Sequence, residues 1–141
     1  FVVLLESHVG ARAEVPATPD DIAREMFGPN GVLHVEILER GGVAIGMIGW
    51  FRVMSTWLGR SGLYLSDIVV VEEERGRGHA SRLIAHMAAR AQAMGDGFLK
   101  LEVDRSNDNA TAVYERLGFT LSGTDPMLAM GEALGRLAQR A

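Results

Sequence analysis

The chain has 141 residues, of which 48% are apolar, and carries a formal net charge of −4 at neutral pH. This length predicts a single domain over residues 1–141, and the negative charge argues against a nucleic-acid-binding protein, which would usually be basic. The sequence contains no cysteine, which excludes disulfides, thiolate metal ligands and a covalent cysteine intermediate.

The N-terminal residues predict neither a signal peptide nor a membrane anchor. Residues 1–5 are apolar but too short, and they lack a basic flank. No apolar run approaches the roughly 18–20 residues that span a bilayer. We therefore expect a cytoplasmic protein without a membrane partner.

The first predicted elements are a short helix and a hairpin. Thr18 caps the helix, Pro19 suits its first position and Asp21 completes a capping box, while residues 28–31 end it. Strands are predicted at residues 32–38 and 43–53, joined by a glycine pair at 41–42. Gly46 and Gly49 predict a bulge or a close backbone approach within the second strand. Residues 54–61 are predicted to form a loop.

The most informative segment lies between a β-branched run at residues 63–71 and a helix predicted at 80–94. It reads Arg75-Gly76-Arg77-Gly78-His79-Ala80. A strand that turns through glycines into a helix leaves backbone amides unpaired at the helix start, and these attract phosphate. The spacing matches neither the P-loop, which needs Gly-Lys-Ser/Thr, nor the dinucleotide fingerprint with its third glycine. The pattern indicates an anionic, phosphate-bearing ligand.

The remaining elements complete a mixed α/β pattern. A strand is predicted at 98–103, followed by a helix at 109–117 that ends at Gly118. A further strand is predicted to start at 119–121, with 126–130 as its partner, before a helix at 131–140. Four to six strands with interspersed helices predict one mixed sheet.

Two segments resemble the signatures of the GNAT acetyltransferase superfamily. Arg75, Gly78 and Ala80 occupy the fixed positions of its pyrophosphate loop, and residues 107–119 resemble its Asn-x-x-Ala-x-x-x-Tyr-x-x-x-Gly-Phe motif. Residues 26–30, 55–60 and 62–65 are also similar to the spermidine/spermine N-acetyltransferase-like subgroup. The resemblance implies a mostly antiparallel central sheet with a splayed parallel strand pair, flanked by helices. Compared with the family, the first strand is expected to be missing.

The resemblance also implies where acetyl-CoA, the expected cosubstrate, would bind. The open edge of the central strand would hold the pantetheine arm, because that arm offers peptide-like hydrogen-bonding groups. The loop amides would hold the pyrophosphate, with the Arg77 side chain either adding charge or remaining solvated. The implied binding residues are Ile68, Val69, Val70, Arg75, Gly76, Arg77, Gly78, His79, Ala80, Ser81, Asn107 and Ala110.

Tyr114 stands at the family's general-acid position, where it would protonate the leaving thiolate; the alternative is a tyrosine that packs on Phe98. The base is less clear, because Ser66 stands where polyamine-acetylating relatives have a glutamate. Asp67 is one substitute, and strand alternation would place it on the face opposite to Ser66. Glu102 is the other, acting through water, although its strand face would equally suit a solvated surface.

These residues predict transfer of an acetyl group from acetyl-CoA to a primary amine of a small molecule. The alternatives are acetylation of a protein N-terminus or lysine, and a non-catalytic acyl-CoA-binding module. No two histidines share a metal-ligand spacing, so no metal is expected. The resemblance and the apolar segment at 126–137 predict a homodimer.

Overall fold

The computed structural model of the protein describes residues 17–104, 106–124 and 126–139. They form two compact units, which meet in sequence between Asn107 and Asp108. The elements of the first unit are α1 (Pro19–Phe27), β1 (His34–Arg40), β2 (Val43–Ser55), β3 (Arg60–Val70), a 3₁₀ turn (Glu72–Glu74), α2 (His79–Ala93) and β4 (Leu99–Leu101). The second unit contains α3 (Asp108–Arg116) and α4 (Glu132–Ala138). The expected absence of a first strand concerns residues 1–16, outside the described ranges.

Helix α1 begins as its sequence predicts. The Thr18 hydroxyl accepts from the Asp21 amide at 3.2 Å, and the Asp21 carboxylate accepts from the Thr18 amide at 3.0 Å. This reciprocal pair is the predicted capping box, with Pro19 at the start of the helix. The Gly28 amide then donates to the carbonyl of Arg24, and the helix ends there.

The sheet has the order β1-β2-β3-β4, with two antiparallel pairs followed by one parallel pair. This confirms the predicted mostly antiparallel sheet with a parallel strand pair. Helix α2 packs its apolar stripe on the sheet, so all four positions that predict it by their helical spacing are buried, namely Leu83, Ile84, Met87 and Ala91. The buried set also includes the sheet residues Met47, Ile48, Leu63, Leu65 and Val69.

The predicted loop at 54–61 is wrong in its extent. Strand β2 continues to Ser55 and β3 starts at Arg60, so the connection is a tight turn. Ser55 stabilises the turn by accepting from the Leu58 amide at 3.2 Å. Trp57 lies at the tip and is 94% exposed. The added strand pairing extends the hairpin beyond the limit that the hydrophobic pattern predicts.

The glycines of β2 mark both a bulge and a close approach. Gly49 pairs with Asp67 and Trp50 with Leu65, which leaves Ser66 without an opposite residue. At Gly46 a Cβ atom would lie 2.8 Å from the carbonyl oxygen of Val69, so only glycine fits. The bulge interrupts strand alternation between Leu65 and Asp67, which pair with the adjacent residues Trp50 and Gly49.

A buried ion pair holds the far end of the sheet to the turn after α2. Asp96, whose side chain is fully buried, accepts from Arg52 Nε at 3.0 Å and from Arg52 Nη2 at 2.8 Å. Arg52 Nη2 also donates to the Ser61 hydroxyl at 2.9 Å. Hydrogen bonding to Arg52 is the main cause that lowers the pKa of Asp96, so the carboxylate stays charged at neutral pH.

In the second unit, helix α3 is followed by Gly118 at φ +90°, as its predicted end requires. The strands predicted at 119–121 and 126–130 are wrong, since neither segment forms a strand. Gly123 turns the chain at φ +73°, and Pro126 has no amide hydrogen to donate to a ladder. The predicted C-terminal helix is present as α4.

Candidate acetyl-CoA and amine sites

Strands β3 and β4 pair over only a short stretch and then separate, which leaves the C-terminal part of β3 at an open edge. Their parallel pairing covers only Leu63–Leu65 of β3 against Leu99–Leu101 of β4. Beyond Leu65, the bulge at Ser66 redirects β3, which remains paired with β2 as far as Val70. The predicted pantetheine-binding residues 68–70 therefore lie on β3 beyond the last β4 pair, where outward backbone groups can meet a peptide-like ligand.

The glycine loop that follows β3 forms an open cradle. Gly76 and Gly78 have φ values of +74° and +79°, and a Cβ atom on either would meet nothing within 4 Å. Gly78 is the N-cap of α2 and offers no side-chain cap. The first amides of the helix, including those of Ala80 and Ser81, are thus available to an anion. The loop therefore combines open space with unpaired backbone donors.

The arginines of the loop make contacts that the sequence did not predict. Arg75 Nε donates to the Val70 carbonyl at 3.0 Å, which ties the loop back to the end of β3. Arg77 Nη1 lies 3.3 Å from Oε2 of Glu74. The Arg77 side chain is also 56% exposed, so the two alternatives predicted for it, added charge at the phosphate site and simple solvation, stay predictions.

Glu74 is a functional candidate that sequence reasoning missed. Its side chain is only 6% exposed, and it forms ion pairs with Arg40 of β1 and Arg77 of the loop. The carboxylate also lies 3.3 Å from Nε2 of His79, the first residue of α2. Residues 72–74 are all glutamates, so the sequence gives no signal that the third of them is buried.

A second cluster lies where β3 and β4 diverge, around Tyr64. Its ring stacks on Phe51 at 4.8 Å between centroids, and Lys100 Nζ lies 5.7 Å from the ring centre. Burial first, then the charge of Glu102, a hydrogen bond to Glu102 and the charge of Asp67 raise the pKa of Tyr64. Both predicted base candidates, Glu102 and Asp67, thus act on one phenol, that of Tyr64.

The second unit carries the predicted acid. Tyr114 lies in α3, and its ring contacts Phe119 with centroids 5.9 Å apart. Burial raises the pKa of its hydroxyl, so the proton is retained at neutral pH. Ala110 lies in the same helix. Asn107 ends the first unit, where its amide donates to the Asp104 carbonyl at 2.8 Å.

The profile of the Acetyltransferase (GNAT) family matches residues 4–119, which is most of the chain. The chain belongs to the GNAT acetyltransferase family. This confirms the family and the enzyme class that the two motifs predict. None of the described helices of this GNAT protein is long and apolar enough to cross a membrane. Among the described residues, no three His, Asp or Glu side chains are grouped to hold a metal ion.

Similar proteins include acetyltransferases that are named for small molecules. Thialysine N-epsilon-acetyltransferase of Mus musculus is 29% identical, with 90% of this GNAT chain and 81% of the relative covered. Streptothricin acetyltransferase of Streptomyces lavendulae is 34% identical, with 87% and 69% covered. An integron cassette protein of V. cholerae shares the fold, with a TM-score of 0.81 at 21% identity, covering 99% of this chain and 87% of that one.

Proposed function

We propose that this GNAT protein transfers the acetyl group of acetyl-CoA to a primary amine of a small molecule by direct attack. The observation that carries the proposal is the open β3 edge at residues 68–70, which leads directly into the anion-binding cradle around Gly76 and Gly78. A pantetheine arm on that edge would place its thioester at the divergence of β3 and β4, beside the Tyr64 cluster.

The carboxylates near Tyr64 supply the base. An amine with an ordinary pKa of about 10.4 is protonated at neutral pH and must lose a proton before it attacks. We assign this step to Glu102, acting through water, because its carboxylate is exposed just beyond β4 and lies close enough to Tyr64 to raise the pKa of that phenol. Asp67 contributes negative charge that attracts the ammonium form of the substrate.

The chemistry then follows from attack of the amine nitrogen on the thioester carbonyl. A C–N bond forms, and the carbonyl oxygen becomes an oxyanion that backbone amides near Val69 stabilise. Collapse of the intermediate breaks the C–S bond and releases CoA as a thiolate. Tyr114 would donate its proton to that sulfur, and the second proton of the attacking nitrogen, lost as the amide forms, would return through water to the Tyr114 phenolate, which yields the acetylated amine and CoA thiol.

Small-molecule substrates are supported by the names of the relatives, which include thialysine, streptothricin and L-ornithine acetyltransferases. If the loop predicted at residues 54–61 closed a tight pocket, as the sequence suggests, it would argue against a protein acceptor. The short, open hairpin with Trp57 at its tip removes that argument. Acetylation of a protein amine therefore stays the alternative within enzymes.

A panel of amines, each assayed for release of CoA thiol from acetyl-CoA, tests the proposal. We expect turnover with small diamines or amino acids that carry a side-chain amine. Turnover with peptide N-termini or peptide lysines alone would favour the protein-directed alternative. Binding of acetyl-CoA without turnover of any amine would favour the non-catalytic acyl-CoA-binding module.

We also propose that the protein works as a homodimer. The second unit exposes large apolar side chains, among them Met127 at 98%, Leu128 at 83% and Met130 at 67%. Contact with a second copy would remove this apolar surface from water. Light scattering should then give a dimer mass, and a monomer mass across micromolar concentrations would contradict it. The cytoplasmic location stays a prediction from the sequence.

A further inference from the structure

A buried carboxylate stands at the entrance of the phosphate cradle, where simple electrostatics would exclude it. Glu74 immediately precedes the glycine loop, and its side chain is 6% exposed. A negative charge close to a pyrophosphate site opposes binding, and low exposure weakens the screening by water. A buried Glu74 at this position is therefore expected to have a role that outweighs its repulsion of the phosphates.

The contacts of Glu74 indicate that role, because they join three separate elements. Arg40 reaches it from the end of β1, Arg77 from the middle of the loop and His79 from the first turn of α2. One carboxylate oxygen serves Arg40, and the other lies 3.3 Å from both Arg77 Nη1 and His79 Nε2. The middle of the segment 76–78 and the residue that follows it are thus held to one buried group.

Arg75 ties the start of the loop to Val70, and the residues after it include two glycines that do not hold a conformation by themselves. Gly76 and Gly78 are both in the left-handed region, and glycine pays the largest conformational entropy of any residue when it is ordered. A ligand that must order such a loop binds more weakly than one that meets it already formed. Arg40 and Arg77 together carry two positive charges, which exceed the single negative charge of Glu74.

We propose that Glu74 is a positioning residue that preforms the CoA phosphate cradle by anchoring Arg77 and His79 to β1 through Arg40. The inference rests on the proposed function, because it concerns the same cosubstrate site. It assigns Arg77 to loop geometry and leaves phosphate contact to the backbone amides. It also explains why a negative residue belongs next to an anion site.

The substitution Glu74→Gln separates this proposal from simple electrostatics. The variant keeps the side-chain shape and one acceptor oxygen but removes a negative charge beside the phosphates. Electrostatics alone predicts tighter binding of CoA. Positioning predicts weaker binding, with Kd raised about tenfold or more, the factor that corresponds to one lost charge-assisted hydrogen bond. The KM for acetyl-CoA should rise in parallel, with kcat at saturation nearly unchanged.

Glu73→Gln is the matched control, since Glu73 is the exposed neighbour and the substitution removes the same charge. Its Kd for CoA should change less than about twofold, as for most surface substitutions. Arg40→Gln is the second variant. It removes the anchor on β1 without altering the loop sequence, so it should also weaken CoA binding and raise the hydrogen-exchange rate of amides 75–80.

Calorimetry with CoA, together with thermal unfolding of each variant, distinguishes the outcomes. Weaker binding by folded Glu74→Gln and Arg40→Gln, with Glu73→Gln unaffected, supports the proposal. Equal or tighter binding by Glu74→Gln overturns it. If Glu74→Gln does not fold, wild-type affinity in folded Arg40→Gln overturns it instead. Failure of the wild-type protein to bind CoA would refute the proposed function rather than the role of Glu74.

Discussion

Substitutions at Gly78 should rank in opposite orders for stability and for CoA binding. Gly78 has φ +79°, and a Cβ atom there would meet nothing within 4 Å, so the cost in the free protein is backbone strain alone. Gly78→Ala should lower the free energy of unfolding by about 1–2 kcal/mol, the cost of the left-handed conformation. Gly78→Asp should lower it by less, because aspartate adopts this conformation more readily.

Binding of CoA should follow the reverse order. The added side chain points into the open cradle, where the pyrophosphate is expected. Alanine contributes one methyl group and no charge. An aspartate carboxylate about 4 Å from a phosphate oxygen costs roughly 4 kcal/mol at an effective dielectric constant of about 20, which corresponds to a nearly thousandfold loss of affinity.

Calorimetry with CoA and denaturant unfolding of both variants test this ranking. The difference in affinity between the aspartate and alanine variants should narrow at high salt, which screens the repulsion. Gly59→Asp provides the control, because Gly59 has φ +63° with the same open surroundings but lies in the β2–β3 turn. It should lose comparable stability and no affinity. A folded Gly78→Asp variant with wild-type CoA affinity would refute the placement of the pyrophosphate.

Tyr114→Phe should lower kcat by about 10²–10⁴-fold with little change in acetyl-CoA affinity, and a nearly normal initial rate would leave water as the proton donor. Glu102→Gln should lose more activity than Asp67→Asn and recover partly at high pH, where more amine is unprotonated; equal losses in the pH–rate profiles would contradict Glu102 as the base. Arg52→Met should lower the free energy of unfolding in urea by about 3 kcal/mol, because it leaves the buried Asp96 carboxylate without its partner. Asp96→Asn should lower it by only about 1–2 kcal/mol, because the half-exposed Arg52 can be hydrated instead. The lowered pKa of Asp96 means that its contribution is complete above about pH 4 and is lost as pH falls through the lowered value, so wild type and Asp96→Asn should converge in acid.

The sequence by itself determined the features that depend on neighbouring residues. The capping box at Thr18, the apolar stripe of α2 and the glycines at 76 and 78 all express local geometry, and the structure confirms each of them. The order of strand, glycine loop and helix, together with the second motif, was sufficient to identify the family. Helical periodicity and left-handed turns can be recognised in a single sequence because the residues that determine them lie within a few positions of one another.

Only the tertiary structure decided the features that depend on partners distant in sequence. The segment at 126–130 is apolar, yet an apolar run forms a strand only where the fold supplies an edge with which it can pair. The bulge at Ser66 and the early end of the β3–β4 ladder follow from the register between strands, which fixes where the open edge of β3 begins. Glu74 is buried because β1, the glycine loop and α2 come together around it and supply Arg40, Arg77 and His79. The local charge pattern of the sequence does not show that these elements come together.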